Sequence, residues 1–295
     1  MQLIILLVLI IIGIVLAKLK IIKAGYIQWA NKWIIYFALP AVALAKIPYL
    51  ELNQQLIAPV LAPLLVFVAS VFVFYYLFKN ILSDDEKLVL ALLAGLGNTS
   101  FMGFPLLSFF YGSETAHLSY AVVFDQITFL VMATMAQWMI LRNEEGYTFT
   151  GSFKKILTFP PFIAMGAAFF IPRGIYPGWF DVVLEVLMGS ITPVAMLIVG
   201  YQIARYVDFN FSKPMLYGLG YKLMIAPAIV WGGLFFSGVN QPVFESCVLE
   251  AGMAPMLTIS ILLSDKDVLP KLTSQLLCWG IIISIATTTL WYLFL

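Results

Sequence analysis

The chain is 295 residues long, 62% hydrophobic and 11% charged, with a net charge of +1 and a mean hydropathy of +1.00. Soluble domains carry about 45–50% apolar and about 25% charged residues, so a water-soluble enzyme is excluded, and the near-neutral charge gives no electrostatic pull on nucleic acid. Apolar segments recur along the whole length, each close to the ~20 residues that cross a hydrocarbon core of ~30 Å. Inside lipid the backbone must pair within its own segment, so these segments are helices; the alternating short strands of a membrane barrel are not present in the pattern.

In chain order, ten segments are expected at 2–18, 30–47, 57–78, 87–111, 116–141, 155–171, 181–203, 214–236, 242–263 and 271–295. The first, MQLIILLVLIIIGIVLAKLK, has no basic n-region and no small-x-small cleavage site, so it reads as a spanning helix and not as a signal peptide. The longest connection, 142–154, is too short for a soluble domain. Basic residues orient the bundle, because inner loops are enriched in Lys and Arg. With the N-terminus outside, the inner connections hold Lys18, Lys20, Lys23, Lys32, Lys79, Lys87, Arg142, Lys154, Lys155, Arg205, Lys213, Lys266 and Lys271, and the outer ones only Lys46 and Arg173. The expectation is a multi-pass protein of the cell inner (plasma) membrane with both termini extracytoplasmic.

The two halves, 1–141 and 155–295 about the cytoplasmic linker 142–154, resemble each other. The second segment reads LPAVALAKI (39–47) and the seventh TPVAMLIVG (192–200); the fourth carries GNTSFMGFPLL (97–107) and the ninth EAGMAPMLTI (250–259). Pro40 to Pro105 spans 65 residues and Pro193 to Pro255 spans 62. Five helices per half is an odd number, so the second half is expected upside down. Proline removes an N–H and clashes one turn back, and glycine adds backbone freedom; together they are expected to open the helix at Gly97–Pro105 and Gly252–Pro255. Freed backbone groups at membrane depth persist where they line a cavity or are buried in protein, and Gly/Pro-interrupted segments at matching places in two halves point to a binding site.

Polar residues cluster at these breaks. Glu250 precedes the second, where an ionised carboxylate facing lipid would cost at least ~2.5–3.5 kcal/mol, so it is expected to bind a cation or hold a proton. Asp125 lies in the fifth segment with Thr128 on the same face; both are assigned to the coupling ion or proton. Asn98, Thr99 and Ser100, which an intact helix would fan apart, are expected to converge at the break and, with Pro105, Gly252, Met253 and Pro255, to bind substrate. A sodium ion is the candidate metal, at Glu250, Asn98 and Asp125. No other cofactor is expected. Lys222 is read as snorkelling to the inner interface or else as a counter-charge for an anionic substrate, His117 as a solvated loop residue, Glu185 and Glu245 as solvated near outer helix ends, and Asp84–Glu86 as a wet inner loop. Cys247 and Cys278 are read as buried thiols.

The stretches GNTSFMGFPL and EAGMAP, with LPAVAL in the second segment, resemble the auxin efflux carrier family of secondary transporters in its bacterial branch, and the likeness covers essentially the whole chain. The resemblance implies an all-α polytopic protein of ten transmembrane helices in a 5+5 inverted repeat. Segments 1, 2, 6 and 7 would form a panel against a core of segments 3–5 and 8–10, with the broken segments 4 and 9 crossing. Glu-x-Gly-Met at 250–253 is similar to the sodium-site motif of bile acid:sodium symporters, which share this architecture. Plant members of the family carry a long central loop and an Asn-Pro pair at the breaks, and this chain has neither. The implied cargo is a small organic anion, malate-, malonate- or auxin-like, moved by alternating access and coupled to H⁺ or Na⁺. The alternatives are a sodium-coupled symporter of a larger, bile-acid-like acid, and a channel or membrane sensor. An intramembrane enzyme is not expected: there is no His-Glu-x-x-His, no clustered His or Cys and no GxxxxGK[ST] loop. The lipid bilayer is the expected environment, and a homodimer is compatible with the sequence.

Overall fold

The computed structural model describes residues 2–49, 53–112, 115–141, 158–172, 174–206 and 210–295. The expected linker 142–154, with Arg142, Lys154 and Lys155, lies outside the described residues, as does Arg173. Within them the chain is helical: α1 (Gln2–Lys18), α2 (Gly25–Tyr49), α3 (Gln54–Leu77), α4 (Asp84–Gly95), α5 (Phe104–Tyr111), α6 (Ala116–Leu141), α7 (Pro160–Ala168), α8 (Gly178–Arg205), α9 (Lys213–Phe235), α10 (Gln241–Ala251), α11 (Leu257–Asp265) and α12 (Pro270–Phe294). Among the described residues no named strand occurs, and the β-type pairing present is an isolated antiparallel bridge between Gly97 and Pro255.

Six of these helices, α2, α3, α6, α8, α9 and α12, are long and apolar enough to cross a membrane. Side chains such as Val68 on α3, Trp179 on α8 and Phe236 at the end of α9 are exposed, as suits a lipid-facing surface. The other four expected segments are not continuous long helices. The fourth and ninth are each split in two, α1 is a 17-residue helix, and the described part of the sixth is the short α7.

Local chemistry sets several starts. Asp84, Asp85 and Glu86 are not a loop but the first turn of α4. The Ser83 Oγ accepts from Glu86 N–H at 3.2 Å and Glu86 Oε2 accepts from Ser83 N–H at 2.8 Å, a reciprocal cap reinforced by the helix dipole. Asn240 caps α10 by accepting from Val243 N–H at 3.1 Å, and Pro242 sits in the first turn, where its missing N–H is harmless.

Helix packing runs through the whole of the described chain: the second part of α8 meets α5 and α12, and α2 meets α6. Helix α1 lies along the second part of α8, and α7 and the first part of α8 lie against α2. Elsewhere α3 packs on α4, α6, α9 and α10, α9 on α4, α10 and α12, and α11 on α12. The backbones of α1 and α8 approach closely at Gly13 and Gly200. A Cβ on Gly13 would stand 2.5 Å from the Leu197 carbonyl oxygen, and one on Gly200 would run into the Ile10 carbonyl oxygen. Backbone cannot yield as a flexible side chain does, so Gly200→Ala is expected to cost about 1–3 kcal/mol through overpacking. The thermal midpoint of the purified protein reads this, with Gly166→Ala, whose Cβ would meet nothing within 4 Å, as the unaffected control.

Candidate functional site

Two helices are interrupted, and the interruptions meet. The first half-helix α4 ends at Gly95, and Leu96 is extended (φ −115°, ψ 124°). After Asn98 the chain winds into a π-helical turn, Thr99–Gly103, that runs into α5. In the other segment α10 ends at Ala251, and α11 begins at Leu257. The two extended pieces pair: Asn98 N–H donates to the Ala254 carbonyl at 2.7 Å and Met256 N–H donates to the Leu96 carbonyl at 3.1 Å, on either side of Gly97 and Pro255. Pro255 has no N–H to give, so the bridge is made by its neighbours. Backbone groups that the helices cannot satisfy are thus satisfied by each other, as burial at this depth requires. Gly280 on α12 makes room for the Pro255 ring, which a Cβ at 280 would strike.

The first break is shorter and earlier than the sequence suggests. It occupies Leu96 to Asn98, whereas Pro105 lies within the helical stretch that continues from the π-helical turn into α5. The expected residues are otherwise gathered here. Asn98, Thr99, Asp125, Met253 and Glu250 are all buried, and Ser100 is half-buried. Thr99 and Ser100 hydroxyls both donate to Asp125 Oδ1 at 2.5 Å, and the Gln126 amide donates to Oδ2 at 3.1 Å. Asn98 Oδ1 accepts from Phe101 N–H at 3.3 Å and so caps the π-helical turn. Thr128 does not bind Asp125; its hydroxyl donates to the Phe124 carbonyl of its own helix at 2.9 Å. Pro40 begins the helical stretch after the π-helical turn Ile34–Ala38 in α2, and Pro193 is an exposed residue early in the second part of α8.

Several buried polar atoms at the crossing have no hydrogen-bond partner among the described residues: Asn98 Nδ2, Gln126 Oε1 and both carboxylate oxygens of Glu250. Glu250 is fully buried. Its carboxylate occupies the space beside Gly103, which a Cβ there would invade. A cavity of about 260 Å³ is lined by Val42, Phe104, Ser108, Leu118, Glu185 and Thr192 among others. Glu185 and Met188 also line a larger cavity of about 660 Å³ with Lys46, Tyr120, Tyr176 and Asp181. Asn98, Asp125 and Glu250 are not among the residues that line these two cavities.

Three residues depart from their sequence reading. Lys222 is 1% exposed, too deep to snorkel. His117 is in α6 and not in a loop; its Nε2 is 2.7 Å from Glu245 Oε2, and Tyr111 stacks on its ring at 3.7 Å. Glu245 is therefore buried and paired, and it also accepts from the Gln241 amide at 2.8 Å. Lysine two turns inside an apolar helix was the available signal for Lys222. Nothing local signalled the His117–Glu245 contact, which joins positions 128 residues apart. Cys247 and Cys278 are buried free thiols.

The profile of a family described as membrane transport protein matches residues 1–158 and 152–292. An uncharacterized transporter of Methanothermobacter thermautotrophicus (strain Delta H) is 24% identical over 294 residues, covering 97% of this chain and 94% of that one.

Proposed function

Given a chain that belongs to the membrane transport protein family of the auxin efflux carrier type, we propose that it is a secondary active transporter that moves a small organic anion, a malate-like carboxylate, by alternating access coupled to H⁺ or Na⁺. The observation that carries the reading is the crossing itself: two interrupted helices joined through Gly97 and Pro255, with Asn98 Nδ2 and both Glu250 oxygens buried and without a partner among the described residues. Buried polar groups are nearly always paired, so groups left open at a helix break have their partners outside the chain, in cargo or coupling ion.

In this reading the ten segments form a 5+5 inverted repeat in the inner membrane with both termini outside. Helices α1, α2, α7 and α8 are the panel, and the remaining helices are the core that carries the crossing. The cavities between the two groups, at Glu185 and Met188, are the route by which cargo approaches from the outer side. Asn98, Ser100 and the backbone from Gly252 to Pro255 hold the anion. Thr99 and Ser100 fix Asp125, and loading Glu250 and Asp125 with a cation removes unpaired charge before the core moves.

Uptake of labelled malate into liposomes holding the purified protein, driven in turn by a pH and a Na⁺ gradient, tests the proposal. Glu250→Gln is expected to lower the initial rate at least about tenfold, equivalent to ~1.4 kcal/mol of barrier. A rate and an ion dependence that both survive that substitution would remove Glu250 from the mechanism. A second reading, a carrier of a larger amphipathic acid, draws on the 660 Å³ cavity with Tyr49, Tyr120 and Tyr176 in its wall. Competition of malate uptake by a bile acid separates the two, and discrete single-channel currents would favour a channel over either.

A further inference from the structure

The end of α1 gathers positive charge that the transport cycle does not use. Its apolar run closes at Lys18, and the chain continues Leu19-Lys20-Ile21-Ile22-Lys23 toward α2. Lys18, Lys20 and Lys23 line a cavity of about 450 Å³ together with Tyr201 and Arg205 from the end of α8. All four cations are exposed, no acid is among the described residues that line the cavity, and among the described residues none of the four makes an ion pair. Membrane orientation accounts for basic residues at an inner end of the bundle, but not for their convergence on one hollow, where like charges repel and an anion is favoured. Lys20 adds a second sign. It sits at φ 59°, the left-handed position that closes α1, with Ile21 N–H donating to the Leu16 carbonyl and Lys20 N–H to the Ala17 carbonyl, both at 3.0 Å. Glycine is the usual residue there, and a lysine held in strain is one kept for its side chain. The basic cavity also adjoins an apolar one. A hollow of about 560 Å³ is walled by Leu7, Ile10 and Ile11 of α1, Ile203 of α8, and Ile282 and Ile285 of α12 among others. On α8 the two linings are neighbours, at Ile203 and Ala204. Leu19 and Ile21, between the lysines, are themselves exposed.

We propose that this end of α1 and α8 is a binding site for an anionic phospholipid, with the phosphate among Lys18, Lys20, Lys23 and Arg205 and an acyl chain in the apolar hollow beside them. Basic pockets between membrane helices select anionic headgroups. Free phosphate shares that chemistry but lacks the chain that covers the aliphatic wall. Asn98, Asp125 and Glu250 line neither hollow, so the site stands whatever the crossing carries.

The experiment is thermal unfolding of the purified protein in a neutral detergent, with phosphatidylglycerol, phosphatidylcholine of the same chains, or inorganic phosphate added. Phosphatidylglycerol is expected to raise the midpoint saturably, as a ligand of the folded state does, and the other two to leave it unchanged at the same concentration. Lys18→Gln/Lys20→Gln/Arg205→Gln is expected to need about fivefold more phosphatidylglycerol for each cation removed. Lys79→Gln/Lys213→Gln/Lys271→Gln, at exposed lysines outside the cavity, should keep the parental response. Lys20→Gly separates ligand from scaffold: release of the strained turn should raise the lipid-free midpoint while the lipid response weakens. Equal loss of response in the two triple variants would reduce the effect to general surface charge and overturn the site. A phosphate response equal to that of phosphatidylglycerol would overturn the lipid. If the first triple variant does not fold, Lys20→Gly decides: a weakened lipid response supports the site, and an undiminished one overturns it. The readout needs no cargo, so an absence of malate uptake would count against the transport reading and leave this result standing.

Discussion

Gly103→Ala is expected to destabilise the protein by about 1–3 kcal/mol, the usual cost of overpacking a tight site, and to stop transport. Backbone propensity alone argues the opposite sign. Gly103 has ordinary helical angles, φ −62° and ψ −57°, and replacing such a glycine by alanine normally gains about 0.4–1 kcal/mol. Packing opposes that gain because the new methyl would enter the volume held by the Glu250 carboxylate, a buried side chain that must move to admit it. The two contributions can be separated. In a Glu250→Ala background the obstacle is gone, so Gly103→Ala should revert to neutral or mildly stabilising. The resulting coupling would exceed the ~0.3–0.5 kcal/mol within which independent sites add. Chemical denaturation of the four proteins of this cycle measures it. Equal losses in both backgrounds would mean that Gly103 is needed for some reason other than the carboxylate opposite it.

The sequence carried the location of this contact but not its form. Proline and glycine at 97–105 and 252–255 mark the interruptions, because both act on the backbone locally and leave a local trace. The exact break did not follow. Pro105 looks like its cause and instead lies within the helical stretch that continues from the π-helical turn into α5, while the extended residues are Leu96 to Asn98. What holds them extended is the pairing with Ala254 and Met256, a partner more than 150 residues away that no local pattern encodes. Asp125 with Thr99 and Ser100 was legible as a set of polar residues out of place in apolar helices, and Thr128, in the same helix, donates its hydroxyl to the Phe124 carbonyl. Lys222, His117 and Glu245 were each misplaced for one reason. A charged residue near a helix end is cheapest in water, and only its tertiary partner makes burial favourable. The six long spans follow from hydropathy alone; the four that do not form one continuous long helix include both segments that build the crossing.

Asp125 should separate structure from function most sharply, through two substitutions of unlike effect. Asp125→Ala removes the acceptor of two hydroxyls and an amide at once. Each buried donor so orphaned costs about 1–3 kcal/mol, so the loss should be about 3 kcal/mol or more. Adding Thr99→Val and Ser100→Ala should recover much of it, because removing both partners of a buried hydrogen bond is far milder than removing one. Asp125→Asn behaves differently. Its carbonyl oxygen can still accept from Thr99 and Ser100, and its new N–H₂ would meet the Gln126 amide donor now 3.1 Å from Oδ2. Gln126 can answer by rotating its amide, since its Oε1 has no partner at present and would accept from the new donor. The asparagine variant should therefore stay within about 1 kcal/mol of the parent while losing the negative charge beside Glu250. If Asp125 carries part of the coupling charge, liposome uptake in Asp125→Asn should become insensitive to the imposed gradient although the protein remains folded. Gradient-driven uptake at the parental rate in that variant would reduce Asp125 to a clamp for Thr99 and Ser100, and leave Glu250 as the carboxylate that responds to the ion.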